Sequence, residues 1–400
     1  MKTRVVIGLS GGVDSSVAAY KLIEEGYEVI GLFMKNWHDT TGLLEADCPY
    51  DDDVMFAEMV AKKLGIPFYK VDLSVPYRSR VVDYMFSEYE RGRTPNPDVL
   101  CNREIKFESF VDEAKKLGAD FVATGHYCRK DVLNLPDGDI YRLLAGADKN
   151  KDQSYFLCQV TQAQLKGALF PIGDIDKPEV RKIAKELGLA SAERKDSQGI
   201  CFVGKVDLPT FLQQQLKAKT GRIIEVPSAW EAYYNIASDL PGDGIDDNEL
   251  IRLTIPYDYN PSSGKTIGKH QGAHFFTIGQ RKGINIGGYK NPLFVLATDV
   301  QKNILYVGEG QDHPGLYRKG LFIAKDEIHW IRPDLKMADG ETRDYKVRIR
   351  YRQPLEPARL YKRNKGLYIL FRDAQRGVAP GQFAAWYDAD ELIGSGVINS

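Results

Sequence analysis

Three short stretches of the chain carry the residue types that do chemistry. The first is Gly8-Leu9-Ser10-Gly11-Gly12-Val13-Asp14-Ser15-Ser16. Glycines let a backbone approach phosphate closely, and the amides of a helix start point at the anion. Asp14 and Ser15 can cap that helix or hold a magnesium ion. The second is Arg93-Thr94-Pro95-Asn96-Pro97-Asp98-Val99-Leu100-Cys101-Asn102. Its two prolines make a stiff turn with a helix just after it, so Cys101 falls near a helix N-terminus beside Arg103 and Lys106. Both features favour the thiolate, and Asp98 can lie on the same side and move a proton. A buried cysteine with a capping aspartate would give the same pattern. The third is Asp196-Ser197-Gln198-Gly199-Ile200-Cys201-Phe202-Val203, which taken alone reads as a buried strand cysteine. A phosphate loop combined with two unlinked thiols suggests sulfur transfer, with one thiol carrying sulfur and the other resolving the intermediate.

These stretches need elements to hold them. The run Arg4-Val5-Val6-Ile7 reads as a buried parallel strand, and Val17-Ala18-Ala19-Tyr20-Lys21-Leu22-Ile23 as a helix. Up to about residue 125 the pattern alternates: strand 4–9, helix 15–25, strand 28–33, a loop with Asn36, Trp37 and His38, helix 51–64, strand 68–71, helices near 75–90 and 104–117, and strand 121–124. This series predicts an α/β fold with a doubly wound parallel sheet, whose ligands sit at the carboxyl ends of strands. The opening loop, Met34 and Gly125-His126 all fall at such ends. A hairpin is expected over 126–145, turning at Pro136-Asp137-Gly138, followed by helices at 161–168, 178–187 and near 207–217. Beyond residue 220, short β-type runs between Gly, Asn and Asp predict small β-rich domains, the last of them barrel-like. Residues 228–265 hold Asp239, Asp243, Asp246, Asp247, Glu249 and Asp258 against Arg252 and Lys265, and read as an acidic surface insertion. The chain divides into a catalytic domain (1–206), a small central domain (207–312) and a C-terminal β-barrel-like domain (313–400).

Composition narrows the partners. At 400 residues the chain is too long for one core. A net charge of −1 gives no global pull toward nucleic acid, so any such partner must be held by local basic patches. The five cysteines include no CxxC pair, which disfavours a zinc ribbon, and their odd number disfavours a structural disulfide framework. No apolar run approaches the roughly 20 residues of a membrane span. A strand begins almost at once, so no signal peptide and a cytoplasmic setting are expected.

The opening loop lacks the Gly-Lys-Ser/Thr ending of a Walker A sequence and does not fit GxGxxG. It resembles the PP-loop of the ATP pyrophosphatases, which split ATP between the α and β phosphates and adenylate a substrate oxygen. The ordered set Ser10-Gly-Gly-Val-Asp-Ser-Ser, Thr94-Pro-Asn-Pro-Asp-Val-Leu-Cys-Asn, Thr124-Gly-His-Tyr, Lys151-Asp-Gln-Ser-Tyr-Phe-Leu, Asp196-Ser-Gln-Gly-Ile-Cys-Phe and His274-Phe-Phe-Thr-Ile-Gly-Gln-Arg-Lys-Gly resembles the tRNA-specific 2-thiouridylase (MnmA/TrmU) family from residue 4 to about 395. The acidic segment is longer than that family leads one to expect.

The resemblance implies that Gly8, Leu9, Ser10, Gly11, Gly12, Val13, Asp14 and Ser15 hold ATP with Mg²⁺, and that Met34 and Gly125 contact the adenosine part. It implies that Asn96, Pro97 and Asp98 meet the target base, that Cys101 is the nucleophile, and that Cys201 carries the persulfide. The two cysteines would form a disulfide during turnover. His126, Lys151, Asp152, Gln153, Arg350, Tyr351 and Gln382 match tRNA-contacting positions. The implied partners are the wobble uridine of a tRNA anticodon loop and a protein sulfur donor, such as a cysteine desulfurase or relay protein. Blander readings stand beside these. His126 could cap a strand end, Lys151 and Asp152 could be a solvated pair, and Gln382 could be a turn residue. Arg348, Arg350 and Arg352, alternating on one strand, would form either a phosphate track or an ordinary solvated face. An iron–sulfur cluster on Asp98, Cys101 and Cys201 would give the same product by another route. Another adenylation on the same fold, or a nonenzymatic RNA-binding protein, are the more distant alternatives.

Overall fold

The computed structural model describes residues 2–37, 49–195, 208–235 and 244–400. Strand β1 (Arg4–Gly8) sends alternate residues to opposite faces: Val5 and Ile7 join one buried cluster and Val6 the other. A strand apolar on both faces belongs inside a parallel sheet. Strands β2 (Glu28–Lys35) and β4 (Phe121–Ala123) flank β1, and β3 (Phe68–Asp72) pairs with the far edge of β2. A hairpin follows β4, made of β5 (Cys128–Leu135) and β6 (Gly138–Ala145). Strand β7 (Ala168–Leu169) then completes a parallel sheet of order β3-β2-β1-β4-β7. Helices α1 (Val13–Glu24), α2 (Pro49–Leu64) and α3 (Lys177–Glu186) supply apolar residues to one face, and helices 74–90 and 97–116 to the other. This is the expected doubly wound arrangement.

The second half is β-rich, as its texture predicts. Strands β8 (Gly221–Glu225), β9 (Lys265–His270), β10 (Leu293–Asp299) and β11 (Ile304–Glu309) form a sheet of order β10-β11-β8-β9. The barrel follows as β12 (Tyr317–Ala324), β13 (Ile328–Trp330), β14 (Thr342–Arg348), β15 (Glu356–Arg363), β16 (Gly366–Arg376), β17 (Phe383–Asp388) and β18 (Glu391–Val397). Its strands run β12-β16-β15-β14-β17-β18. The chain end closes the ring: Phe322 N–H donates to the Ser400 carbonyl at 3.0 Å, and Asn399 N–H to the Phe322 carbonyl at 2.9 Å. Leu321, Ile369, Phe371, Trp386 and Ile393 are among the fully buried residues that fill it.

Two features depart from the sequence reading. The β5–β6 hairpin crosses to the barrel, where Leu143 and Leu144 pair with Leu392 and Glu391 of β18. Arg142 reinforces this join by pairing with Glu391 at 2.7 Å. The acidic segment is also more than a surface insertion. Its residues 236–243, with Asp239 and Asp243, lie outside the described residues. Helix α4 (Asp247–Thr254), capped by Asp246, turns Leu250 and Leu253 inward against Tyr361, Tyr368 and Leu370 of the barrel wall. The acidic side chains were legible, but the apolar i, i+3 pair beneath them was overlooked. No helix among the described residues is long and apolar enough to cross a membrane.

Leu250→Ala should therefore destabilise the barrel by about 2–5 kcal/mol, read from the shift in a urea unfolding midpoint. A surface insertion would show no such loss. Burial also holds the pKa of His126, His270, His274, His313 and His329 below the ordinary histidine range. Between those lowered values and about 6.5 the unfolded chain binds more protons than the folded one. Their contribution to stability is thus present above about pH 6.5 and is lost as pH falls. The thermal midpoint should be lower at pH 5.5 than at 7.5, and calorimetry near pH 6 should show proton uptake on unfolding.

Candidate active site

The ATP-type loop joins β1 to α1 at the carboxyl end of the sheet. Gly11 adopts φ +74, a conformation that glycine takes without strain. Gly12 stands at the N-cap with no side-chain cap. Ser15 Oγ accepts from Ser10 N–H at 3.2 Å, lies 3.1 Å from Ser10 Oγ, and donates to the Gly12 carbonyl at 3.1 Å. Ser16 Oγ donates to the same carbonyl at 2.8 Å and accepts from Ser191 Oγ at 2.9 Å. The loop is thus shaped by its own hydroxyls. Gly125 packs against it so closely that an added Cβ would lie 2.8 Å from Ser15 N and 2.9 Å from the Asp14 carbonyl carbon. Met34 is buried, with its Cε against Gly8. The structure therefore gathers Gly8 to Ser15, Met34 and Gly125 in one place.

Asp14 neither caps α1 nor stands open. It accepts from the Tyr127 hydroxyl at 2.7 Å and from Lys177 Nζ at 2.7 and 2.9 Å. Arg194 donates to the Gly11 carbonyl at 3.1 Å, pairs with Asp53 at 2.6 Å, and lies over the Phe56 ring. Two cations therefore hold the loop, and both were missed from sequence because neither lies in a recognisable motif. One signal was available. Lys177 opens helix α3, where the helix dipole disfavours a cation, so an anionic partner should have been sought.

The thiol stretch differs from expectation. The helix begins at Pro97 rather than near 104, because Pro97 fits a first helical position and the Asn96 side chain accepts from Val99 N–H at 3.3 Å. Cys101 thus lies past the first turn, at the opening of a π-helical stretch, Cys101–Ser109. It is 0% exposed. Arg103 is turned to Glu104 at 2.6 Å and to Gln159 at 3.0 Å. Asp98 sits in the first turn. Cys201, with the rest of 196–207, lies outside the described residues, as do Cys48 and His38.

Of the remaining residues, Asp152, Tyr351 and Gln382 make contacts between the parallel-sheet domain and the barrel. His126 is buried, with Nδ1 2.7 Å from Thr124 Oγ1 and its ring 6.4 Å from those of both Phe107 and Phe170, which also meet each other. Gln153 Oε1 accepts from Tyr127 N–H at 3.0 Å. Asp152 is not half of a solvated pair with Lys151: it is buried, ion-paired with Arg348, and accepts from Gly146 and Ser154 N–H at 3.2 and 3.0 Å. The supposed arginine row does not form. Strand β14 ends at Arg348, which turns inward, and Arg350 donates to the carbonyls of Arg376 and Gly377. Of the three, Arg348 alone is buried, while Arg350 and Arg352 are exposed. Alternation assumed a strand that continues, whereas the chain bends after 348. Tyr351 donates to the Lys151 carbonyl at 3.4 Å and packs on Phe156 at 4.3 Å. Gln382 is more than a turn residue, since it bonds the Thr94–Asn96 loop.

Comparison with known proteins agrees with this architecture. A family model described as "tRNA methyl transferase HUP domain" matches residues 3–205, one described as "tRNA methyl transferase PRC-barrel domain" matches 259–309, and one described as "Aminomethyltransferase beta-barrel domain" matches 321–398. The chain is 58% identical to the tRNA-specific 2-thiouridylase MnmA of Christiangramia forsetii, over 99% of this chain and 100% of that protein. It is 55% identical to that of Flavobacterium johnsoniae, again over 99% and 100%. A solved 4-thiouridine synthetase–RNA complex with bound ATP overlaps 53% of this chain and 50% of its own, at 18% identity and a TM-score of 0.31, too slight a likeness to add weight. The fold and the loop define a PP-loop enzyme with an appended barrel. Identity at this level over the whole length places the chain in the tRNA-specific 2-thiouridylase family.

Gly125→Ala should weaken ATP binding at least about tenfold in titration calorimetry and also lower the thermal midpoint, since the added methyl strikes loop backbone that is held from several sides. Unchanged affinity would separate Gly125 from the nucleotide site.

Proposed function

We propose that this protein makes 2-thiouridine at the wobble position of tRNA, using ATP to activate the base oxygen and a cysteine persulfide to supply sulfur. The observation that carries this reading is the whole-length identity to 2-thiouridylases, supported by a loop, two flanking cations and a buried cysteine in one domain. Catalysis is assigned to residues 1–206, a connecting role to 207–312, and RNA binding chiefly to 313–400.

ATP lies on the Gly8–Ser15 loop, with Met34 and Gly125 at the adenosine. Lys177 offsets the Asp14 charge, which would otherwise repel phosphate. Asp14, the one carboxylate of the loop, is already engaged by Lys177 and Tyr127, so it would hold Mg²⁺ only once Lys177 turns to the phosphates, and the ion would then neutralise phosphate charge. Asn96, Pro97 and Asp98 receive the uridine, which a single-stranded anticodon loop presents at little unstacking cost. The uridine O2 attacks the α phosphorus and pyrophosphate leaves. The base then carries an adenylate, which makes a poor oxygen leaving group into AMP. Asp98 moves the proton. Cys201, charged with sulfane sulfur by a donor protein, attacks C2 as the persulfide, and the Cys101 thiolate then attacks the Cys201 sulfur and breaks its S–S bond; alternatively that attack comes first and releases the sulfur as hydrosulfide, which adds to C2. AMP departs, C2 gains sulfur, and Cys101 and Cys201 are left as a disulfide that an external thiol must reduce. His126, Lys151, Gln153, Arg350, Tyr351 and Gln382 are assigned to tRNA, with Asp152 supporting them through Arg348. The setting is the cytoplasm, where tRNA and ATP meet.

The test supplies ATP, sulfide and unmodified tRNA, then digests the RNA and measures 2-thiouridine by mass spectrometry. Wild type should form it. With a persulfide donor Cys101→Ser should form none and Cys201→Ser should be severely impaired, whereas free sulfide should restore part of the activity of both. No product from wild type that still binds ATP and tRNA would overturn the reading. Full activity in both variants would overturn the two-thiol scheme. A brown protein with stoichiometric iron after anaerobic purification would favour the cluster route instead.

A further inference from the structure

Gln382 belongs to the barrel, yet its side chain is spent on the thiol loop. Its Nε2 donates to the Thr94 carbonyl at 2.9 Å and the Pro95 carbonyl at 3.1 Å, while Oε1 accepts from Asn96 Nδ2 at 3.5 Å. The backbone beside it is seated just as closely. Thr94 N–H donates to the Pro380 carbonyl at 2.8 Å. Gly381 adopts φ +90, and a Cβ there would lie 2.9 to 3.0 Å from the Thr94 backbone. Thr94 Oγ1 also meets Thr277 Oγ1 at 3.2 Å. Everything held in this way immediately precedes helix 97–116, and Asn96 is at once a partner of Gln382 and the helix cap. One turn further along that helix lies Cys101, 0% exposed, where the π-helical stretch begins. Such wide turns recur at functional sites.

We propose that Gln382 is a positioning residue that latches the start of the Cys101 helix to the barrel, keeping the thiol enclosed until RNA engages the same amide. The proposal rests on the reading of Cys101 as nucleophile. A side-chain amide has two donors and one acceptor oxygen. An RNA group that bonds Gln382 competes with Thr94, Pro95 and Asn96 for them. Binding at the barrel is thereby coupled to release at the helix start, through groups in direct contact. Tyr351 repeats the pattern on a smaller scale, since its hydroxyl is given to the Lys151 carbonyl.

The test is alkylation without tRNA or ATP. Wild type and Gln382→Ala are treated with iodoacetamide under native conditions, and the peptides carrying Cys101, Cys128 and Cys158 are quantified by mass spectrometry. All three cysteines are 0% exposed, so each reports an opening of its own surroundings. Gln382→Ala should raise the Cys101 rate about tenfold, as loss of two neutral hydrogen bonds to a local opening implies, with Cys128 and Cys158 at wild-type rates. A Cys101 rate within about twofold of wild type overturns the latch. Were all three rates to rise together, Gly381→Ala decides, because it disturbs the same seat through the backbone: a rise confined to Cys101 supports the latch, and any other result overturns it. No product is measured, so a protein that failed to make 2-thiouridine would leave this result standing.

Discussion

The buried ion pair between Asp152 and Arg348 joins residues 196 positions apart, and the working geometry of the molecule depends on it. Asp152 is held from the parallel-sheet domain by two backbone N–H groups, and Arg348 ends β14 with its guanidinium over the Tyr387 ring. Such a pair adds little net stability over an apolar substitute, but removing one partner leaves an unpaired buried charge costing about 3–5 kcal/mol. Its value here is geometric. With Arg348 drawn inward, the chain bends, Tyr351 reaches the Lys151 carbonyl, and the barrel presents residues 380–382 to the thiol loop.

The opening loop is held by its own hydroxyls, Gly125 and two cations, from several sides. The thiol end is held from outside its own domain, by a barrel residue. Adenylation needs a preformed anion site, whereas sulfur transfer needs a thiol that is protected when no substrate is present. The placement of in-domain and borrowed contacts follows that division.

Much of this was legible in the sequence because it is local. The apolar strands, the hairpin at Pro136-Asp137 and the phosphate loop follow from periodicity and turn chemistry over a few residues. The helix start reads two ways in the sequence, just after the prolines or near 104, and the Asn96 cap with the first-turn Pro97 decides for the earlier one. Arg194 and the inward turn of Arg348 were not legible, since their partners are supplied by distant segments, and Lys177 left only the signal of a cation at a helix start. The fold of residues 250 to 254 onto the barrel was hidden for a related reason: surface acids announce themselves, while two leucines have meaning only beside the wall they cover.

The central claim is that the oxygen leaving C2 of the base departs on the α phosphate of ATP. Substrate tRNA carrying ¹⁸O at O2 of the target uridine tests this directly. One turnover with ATP and a sulfur source should place one ¹⁸O atom in AMP for each 2-thiouridine formed, read by mass spectrometry. Unlabelled AMP accompanied by full thiolation would contradict adenylation of the base.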